Sequence, residues 1–196
     1  MSAKATSPTA LCVYCGSSFG AHPDYEIAAS LVGRTLAERG IHVIFGGGRV
    51  GLMGAMADAA LAAGGDVTGV TTKRLVEAEI AHEGLTHLHV VETMHQRKAK
   101  MESLSDGFVT LPGGTGTLEE IMEQWTWAQL GIHTKPCAFL NVRGYFNPLM
   151  AMVDNMRDEG FLKPGLNDML IVEGRIETLL DRMTGYHAPM PKWQHK

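Results

Sequence analysis

Three glycines stand within four positions, Gly113, Gly114 and Gly116, between an apolar run over residues 108–111 and a helical pattern that opens at Thr117. Glycine has no Cβ to hold a ligand off the main chain, and the first turn of a helix presents unpaired N–H groups at the positive end of its dipole. Such a corner suits phosphate. A plainer reading competes: Pro112, Gly113 and Gly114 turn a corner, and Thr117 with Glu120 forms a capping box. The box explains Thr117 and Glu120, but it does not require the three glycines together.

Upstream, a helix is predicted over residues 93–104 with Met94, Met101 and Leu104 as its apolar stripe, and Arg97 and Lys98 fall within that stripe. Cations on a buried face need partners, because removing one member of a buried pair costs roughly 3–5 kcal/mol. Either an anionic ligand meets them, or both side chains run along apolar surface to water. Beyond the glycine corner, Glu119 and Glu120 are adjacent on one helix and diverge by one residue's rotation, so they cannot flank a single bond as paired carboxylates do. That helix takes Leu118, Ile121, Met122 and Trp125 as its core stripe, with Glu120 and Trp127 nearly opposite. A tryptophan there calls for a second covering surface, and a partner subunit is the simplest candidate.

Other candidate chemistry carries less. Residues 46–51, GGGRVG, fit G-x-G-x-x-G ahead of a helix, yet the following strand ends in Thr71-Thr72-Lys73-Arg74 and supplies no acid for a ribose. Arg74 would suit a 2′-phosphate, so an NADP-linked oxidoreductase is one rival. His87 and His89 share one side of a strand without a third ligand at useful spacing, and no metal site is expected. Cys12 and Cys15 have C-x-x-C spacing, but on a strand they point to opposite faces and read as core. Glu77 and Glu79 read by composition as a solvated face.

These residues need a scaffold, and strand and helix patterns alternate along the whole chain. Strands are expected over residues 11–15, 41–45, 67–71, 85–91, 108–111, 137–142 and 169–173. Asp24 is expected to cap a helix with Ile27, Ala28, Leu31, Val32 and Leu36 inward, stopped by Gly40. Further helices are an alanine-rich one closing at Gly64, the two already named, and those over 147–158 and 176–183. The alternation predicts an α/β class: a single-domain, Rossmann-like, doubly wound parallel sheet with helices on both faces. The loops 16–18, 46–54 and 112–117 would then line one crevice at the sheet edge. Residues 1–9 read as a disordered leader, 10–185 as the domain and 186–196 as an irregular tail.

At 196 residues one core suffices. A net charge of −4 argues against sequence-independent nucleic-acid binding. No apolar run approaches bilayer length, and the first residues lack an apolar export signal, so a cytoplasmic location is expected. The odd count of three cysteines favours reduced thiols.

Pro112-Gly113-Gly114-Thr115-Gly116-Thr117-Leu118-Glu119-Glu120 resembles the P-G-G-x-G-T-x-x-E motif of the Lonely Guy family, the cytokinin-activating phosphoribohydrolases also labelled lysine decarboxylase-like. The resemblance extends over Cys15-Gly16-Ser17-Ser18, residues 46–54, Met94-His95-Gln96-Arg97-Lys98 and residues 125–131, with Thr115 in a variable slot. It implies hydrolysis of the N-glycosidic bond of N6-modified adenosine 5′-monophosphates by a Rossmann-like homodimer with active sites at the subunit interface, without a cofactor. It also implies Arg97 and Glu120 as the catalytic pair, and substrate contacts from Glu79, Arg97, Lys98, Gly113, Gly114, Thr115, Gly116, Thr117, Leu118, Glu119, Glu120 and Thr126. A carrier that binds a phosphorylated cofactor or nucleotide without chemistry is the main alternative. Arg97 and Glu120 together favour the enzyme, since a carrier has no evident use for a carboxylate beside a phosphate.

Overall fold

A computed structural model describes residues 7–77 and 81–191. Seven strands, β1 (Ala10–Tyr14), β2 (His42–Phe45), β3 (Val67–Thr72), β4 (His87–Val91), β5 (Gly107–Thr110), β6 (Cys137–Leu140) and β7 (Leu170–Glu173), form one sheet. The order is β4-β3-β2-β1-β5-β6-β7 and every pairing is parallel, as strand–helix alternation predicts. The chain winds outward from β1 to β4 and returns to the other side of β1 as β5. The direction of winding thus reverses between β1 and β5, and in open sheets ligands bind at the carboxyl ends of strands flanking such a point.

Helices α1 (Pro23–Glu38), α2 (Gly51–Ala62) and α7 (Ile176–Thr184) cover one face, packing on Leu11, Val13, Val43 and Phe45. On the other face, α4 (Met94–Ser103), α5 (Thr115–Leu130) and α6 (Asn147–Asp158) pack on Cys12, Tyr14, Ile44 and Phe108. Cys12 and Cys15 belong to opposite layers, as strand alternation requires. A short helix, α3 (Lys73–Glu77), follows β3.

Three local expectations are corrected. Asp24 does not cap α1: His22 occupies that position without a side-chain bond, Pro23 opens the helix, and Asp24 accepts from Arg143 at 2.7 Å. Ile27 and Leu31 are exposed, while Ala29, Val32, Gly33 and Leu36 face inward. The reason is close packing on α2, where a Cβ on Gly33 would lie 2.1 Å from the Met56 carbonyl oxygen, so the small residues mark the buried side. Finally, α5 opens at Thr115 with Gly114 as N-cap and no side-chain cap, so Thr117 and Glu120 form no capping box. Residues 186–191 hold no helix or strand, and the remaining tail, like most of the leader, lies outside the described residues. No helix among the described residues is long and apolar enough to cross a membrane.

Candidate active site

The corner after β5 is fastened from three directions. The Gly16 N–H donates to the Pro112 carbonyl at 3.1 Å, the Leu52 N–H donates to Gly16, and the Tyr145 hydroxyl donates to the Gly113 carbonyl at 2.6 Å. Residues 16–18, 46–54 and 112–117 therefore converge, as parallel topology requires. Within the corner the glycines separate into two kinds. A Cβ on Gly113 would lie 2.2 Å from Thr117 Oγ1 and 2.8 Å from the Gly16 nitrogen, so packing demands glycine there. At Gly114 and Gly116 a Cβ would meet nothing within 4 Å, and neither residue has a positive φ.

Glycine at those two places costs stability without a return to the fold. Ser or Asp is a better N-cap than a bare Gly114, and glycine inside a helix costs about 1 kcal/mol relative to alanine. Free access to the main chain is what both glycines provide. The first bond in α5 is Leu118 N–H to the Gly114 carbonyl, so the N–H groups of Thr115, Gly116 and Thr117 precede the helical ladder. No acidic side chain lies in this first turn to neutralise its positive end.

Arg97 and Lys98 are buried on α4, as their place in its apolar stripe predicts, and neither runs out along the surface to bulk water. Carboxylates of α5 meet both. The Arg97 guanidinium donates from Nε to the Val70 carbonyl at 2.8 Å and from Nη1 to Glu120 Oε1 at 2.9 Å. Lys98 Nζ donates to Glu119 and, at 3.1 Å, to Glu123. Glu120 is not opposite the core: its side chain is only 13% exposed and lies between α5 and α4. The buried face of α5 includes Thr117, Ile121, Gln124, Trp125 and Ala128, broader than an apolar stripe suggests because polar residues occupy part of it. Burial raises the Glu120 pKa above its ordinary 4.5, and the Arg97 charge and hydrogen bond only partly offset this.

One seat in this arrangement escapes a reading of motifs. A Cβ on Gly46 would lie 2.0 Å from the Arg97 Nη2, so the first glycine of GGGRVG makes room for a guanidinium. Gly51, the last glycine of that run, also serves packing: a Cβ on it would lie 2.3 Å from the Ser17 carbonyl carbon. A cavity of about 440 Å³ opens beside Arg97, walled by Ser17, Gly46, Val50, Met53, Thr71 and Leu75. Thr126 is exposed and donates to the Met122 carbonyl, about 14 Å along the helix axis from Thr117 at 1.5 Å per residue. Trp127 is half-buried, and Glu79 lies outside the described residues. Thus Arg97, Lys98, Glu119, Glu120 and the corner 113–118 come together in one chain, whereas Thr126 does not join them.

The family model described as "Possible lysine decarboxylase" matches residues 53–183. A cytokinin riboside 5′-monophosphate phosphoribohydrolase of Arabidopsis thaliana is 45% identical over 176 residues, which cover 90% of this chain and 81% of that protein. The chain belongs to this phosphoribohydrolase family. A phosphoribohydrolase of the same name, from Rhodococcoides fascians, is 45% identical over 172 residues, covering 87% of each chain. Among solved structures, the molybdenum cofactor binding protein of Rippkaea orientalis superposes with a TM-score of 0.68 at 19% identity, over 90% of this chain and 95% of its own. The molybdenum cofactor carrier protein of Chlamydomonas reinhardtii gives 0.65 at 17% identity, over 90% and 96%. At such identities the likeness is one of fold.

Proposed function

We propose that the protein hydrolyses the N-glycosidic bond of N6-modified adenosine 5′-monophosphates, releasing the free base and ribose 5-phosphate. The observation that carries this is a glycine corner open at Gly114 and Gly116, where the fold needs no glycine, next to a buried Arg97–Glu120 pair. The N–H groups of residues 115–117, with Arg97, bind the 5′-phosphate and place the sugar over Glu120. As the C1′–N bond lengthens, its electron pair moves to the base and positive charge grows on the ribose ring. The Glu120 carboxylate stabilises that charge and orients the water whose oxygen bonds to C1′. The water gives up a proton, and the departing base takes one. A preorganised group of this kind is worth about 3–4 kcal/mol of barrier. The cavity walled by Val50, Met53 and Leu75 suits an apolar group on the base.

The working unit is a homodimer with the site at the subunit boundary, where Thr126 of one chain reaches the site of the other. Supporting this are apolar side chains left exposed on α4 and after α5, among them Met94 and Ile132, and the half-buried Trp127. We place the protein in the cytoplasm, where its three buried free thiols stay reduced.

Lysine decarboxylation fits less well. Lys98 is the buried lysine among the described residues, and although burial opposes its charge, bonds to Glu119 and Glu123 raise its pKa above the ordinary value. A Schiff-base lysine needs the reverse shift. The test is incubation with isopentenyladenosine 5′-monophosphate and with AMP, followed by chromatography. Free base supports hydrolysis, and unchanged nucleotide held at a defined stoichiometry supports a carrier.

A further inference from the structure

Lys98 is expected from the family resemblance to touch the substrate, yet its surroundings point elsewhere. Its side chain is 5% exposed, and its ammonium is spanned by Glu119 and Glu123, one helical turn apart on α5. Both partners come from within the chain, so little of the cation remains for a phosphate. Its neighbour Arg97 pairs with Glu120, the neighbour of Glu119. Two consecutive residues of α4 are thereby joined to consecutive residues of α5. Any slip of one helix on the other that breaks the first connection strains the second.

We infer that Lys98 is a positioning residue. Through Glu119 and Glu123 it fixes the register of α5 against α4, and so holds the Glu120 carboxylate in working orientation. This rests on the hydrolase reading of the site. A substrate contact would act directly on the bound nucleotide, whereas a clamp acts only through its two carboxylates. The two roles differ in how substitutions combine.

The experiment compares K98M, E119Q/E123Q and the triple variant K98M/E119Q/E123Q, which leaves no stranded charge and guards against misfolding. For each, kcat and KM with isopentenyladenosine 5′-monophosphate are measured alongside thermal unfolding. A clamp predicts kcat lower by about tenfold or more in all three, KM within about threefold, and a triple variant no worse than either parent. K98R, which keeps a bridging cation, recovers most of kcat. A KM rise with kcat intact in K98M overturns the inference, as does a triple loss equal to the product of the two parental losses. Folded variants with unchanged kcat overturn it too. If the wild-type protein releases no base, the hydrolase reading fails separately. The coupling is then read from unfolding temperatures, where non-additive shifts keep the clamp and additive shifts discard it.

Discussion

At the scale of single residues, the proposed hydrolysis depends on one buried carboxylate whose charge the surroundings oppose. Burial raises the Glu120 pKa above 4.5, and Arg97 restores only part of what desolvation takes. In the proposed hydrolysis the ionised form is the one that stabilises a cationic ribose, so activity is expected to fall as pH drops through this raised value. The acid limb of kcat/KM should therefore lie above pH 4.5 and vanish in E120Q, along with most turnover, while AMP still binds. The linkage sign follows from the same shift: the folded state holds this proton more tightly than the unfolded chain. Glu120 thus contributes less to stability as pH rises from 4.5 through the folded pKa. Gly46 sets the position of the opposing cation. In G46A the new methyl group would take the place of Arg97 Nη2, 2.0 Å away, and the displaced guanidinium should cost about 100-fold in turnover with the fold retained, as circular dichroism would confirm. Turnover equal to wild type in G46A would show that the guanidinium position is not critical. The guanidinium seat is not legible in GGGRVG, because the pattern names no side chain to be accommodated and its partner lies 51 residues away in sequence, beyond any local spacing rule.

At the scale of elements, α5 shows both the reach and the limit of sequence patterns. The strand, glycine turn and helix after Gly107 are legible because period and glycine content change within a few residues. The helix start is misplaced by two residues, since Thr117 and Glu120 match a capping box so well. In three dimensions the Thr117 side chain is buried against Gly113 and Glu120 is drawn to Arg97, so tertiary pairing overrides the local cap. The same competition explains α4, where amphipathic reasoning finds the buried cations but not the carboxylates of another helix that satisfy them. Two substitutions separate the roles of neighbouring glycines. G113A meets Thr117 Oγ1 at 2.2 Å and should lower stability by about 1–3 kcal/mol in denaturant titration. G114A meets nothing, should change stability by less than about 1 kcal/mol, and should raise KM for the nucleotide through a methyl group at the phosphate position. Unchanged KM in G114A would argue that the corner holds no ligand.

At the scale of the whole molecule, the fold was legible from strand–helix alternation, and the sheet order places its turning point between β1 and β5, beneath the glycine corner. In the sequence the partner surface rests on Trp127 alone, and within one chain Thr126 stands about 9 Å along the axis of α5 from Glu120. Sedimentation equilibrium should give twice the 21.2 kDa chain mass, and mixing E120Q with T126A should restore some turnover through hybrid sites. A monomeric mass with full activity would remove the shared-site reading. The central claim is that amides at the start of α5 seize the nucleotide's phosphate and thereby deliver its sugar to Glu120. The most direct measurement is a crystal structure of E120Q soaked with AMP. The account predicts phosphate oxygens within hydrogen-bonding distance of the N–H groups of Thr115, Gly116 and Thr117, with C1′ facing residue 120. Phosphate bound elsewhere, away from residues 113–117, would contradict it.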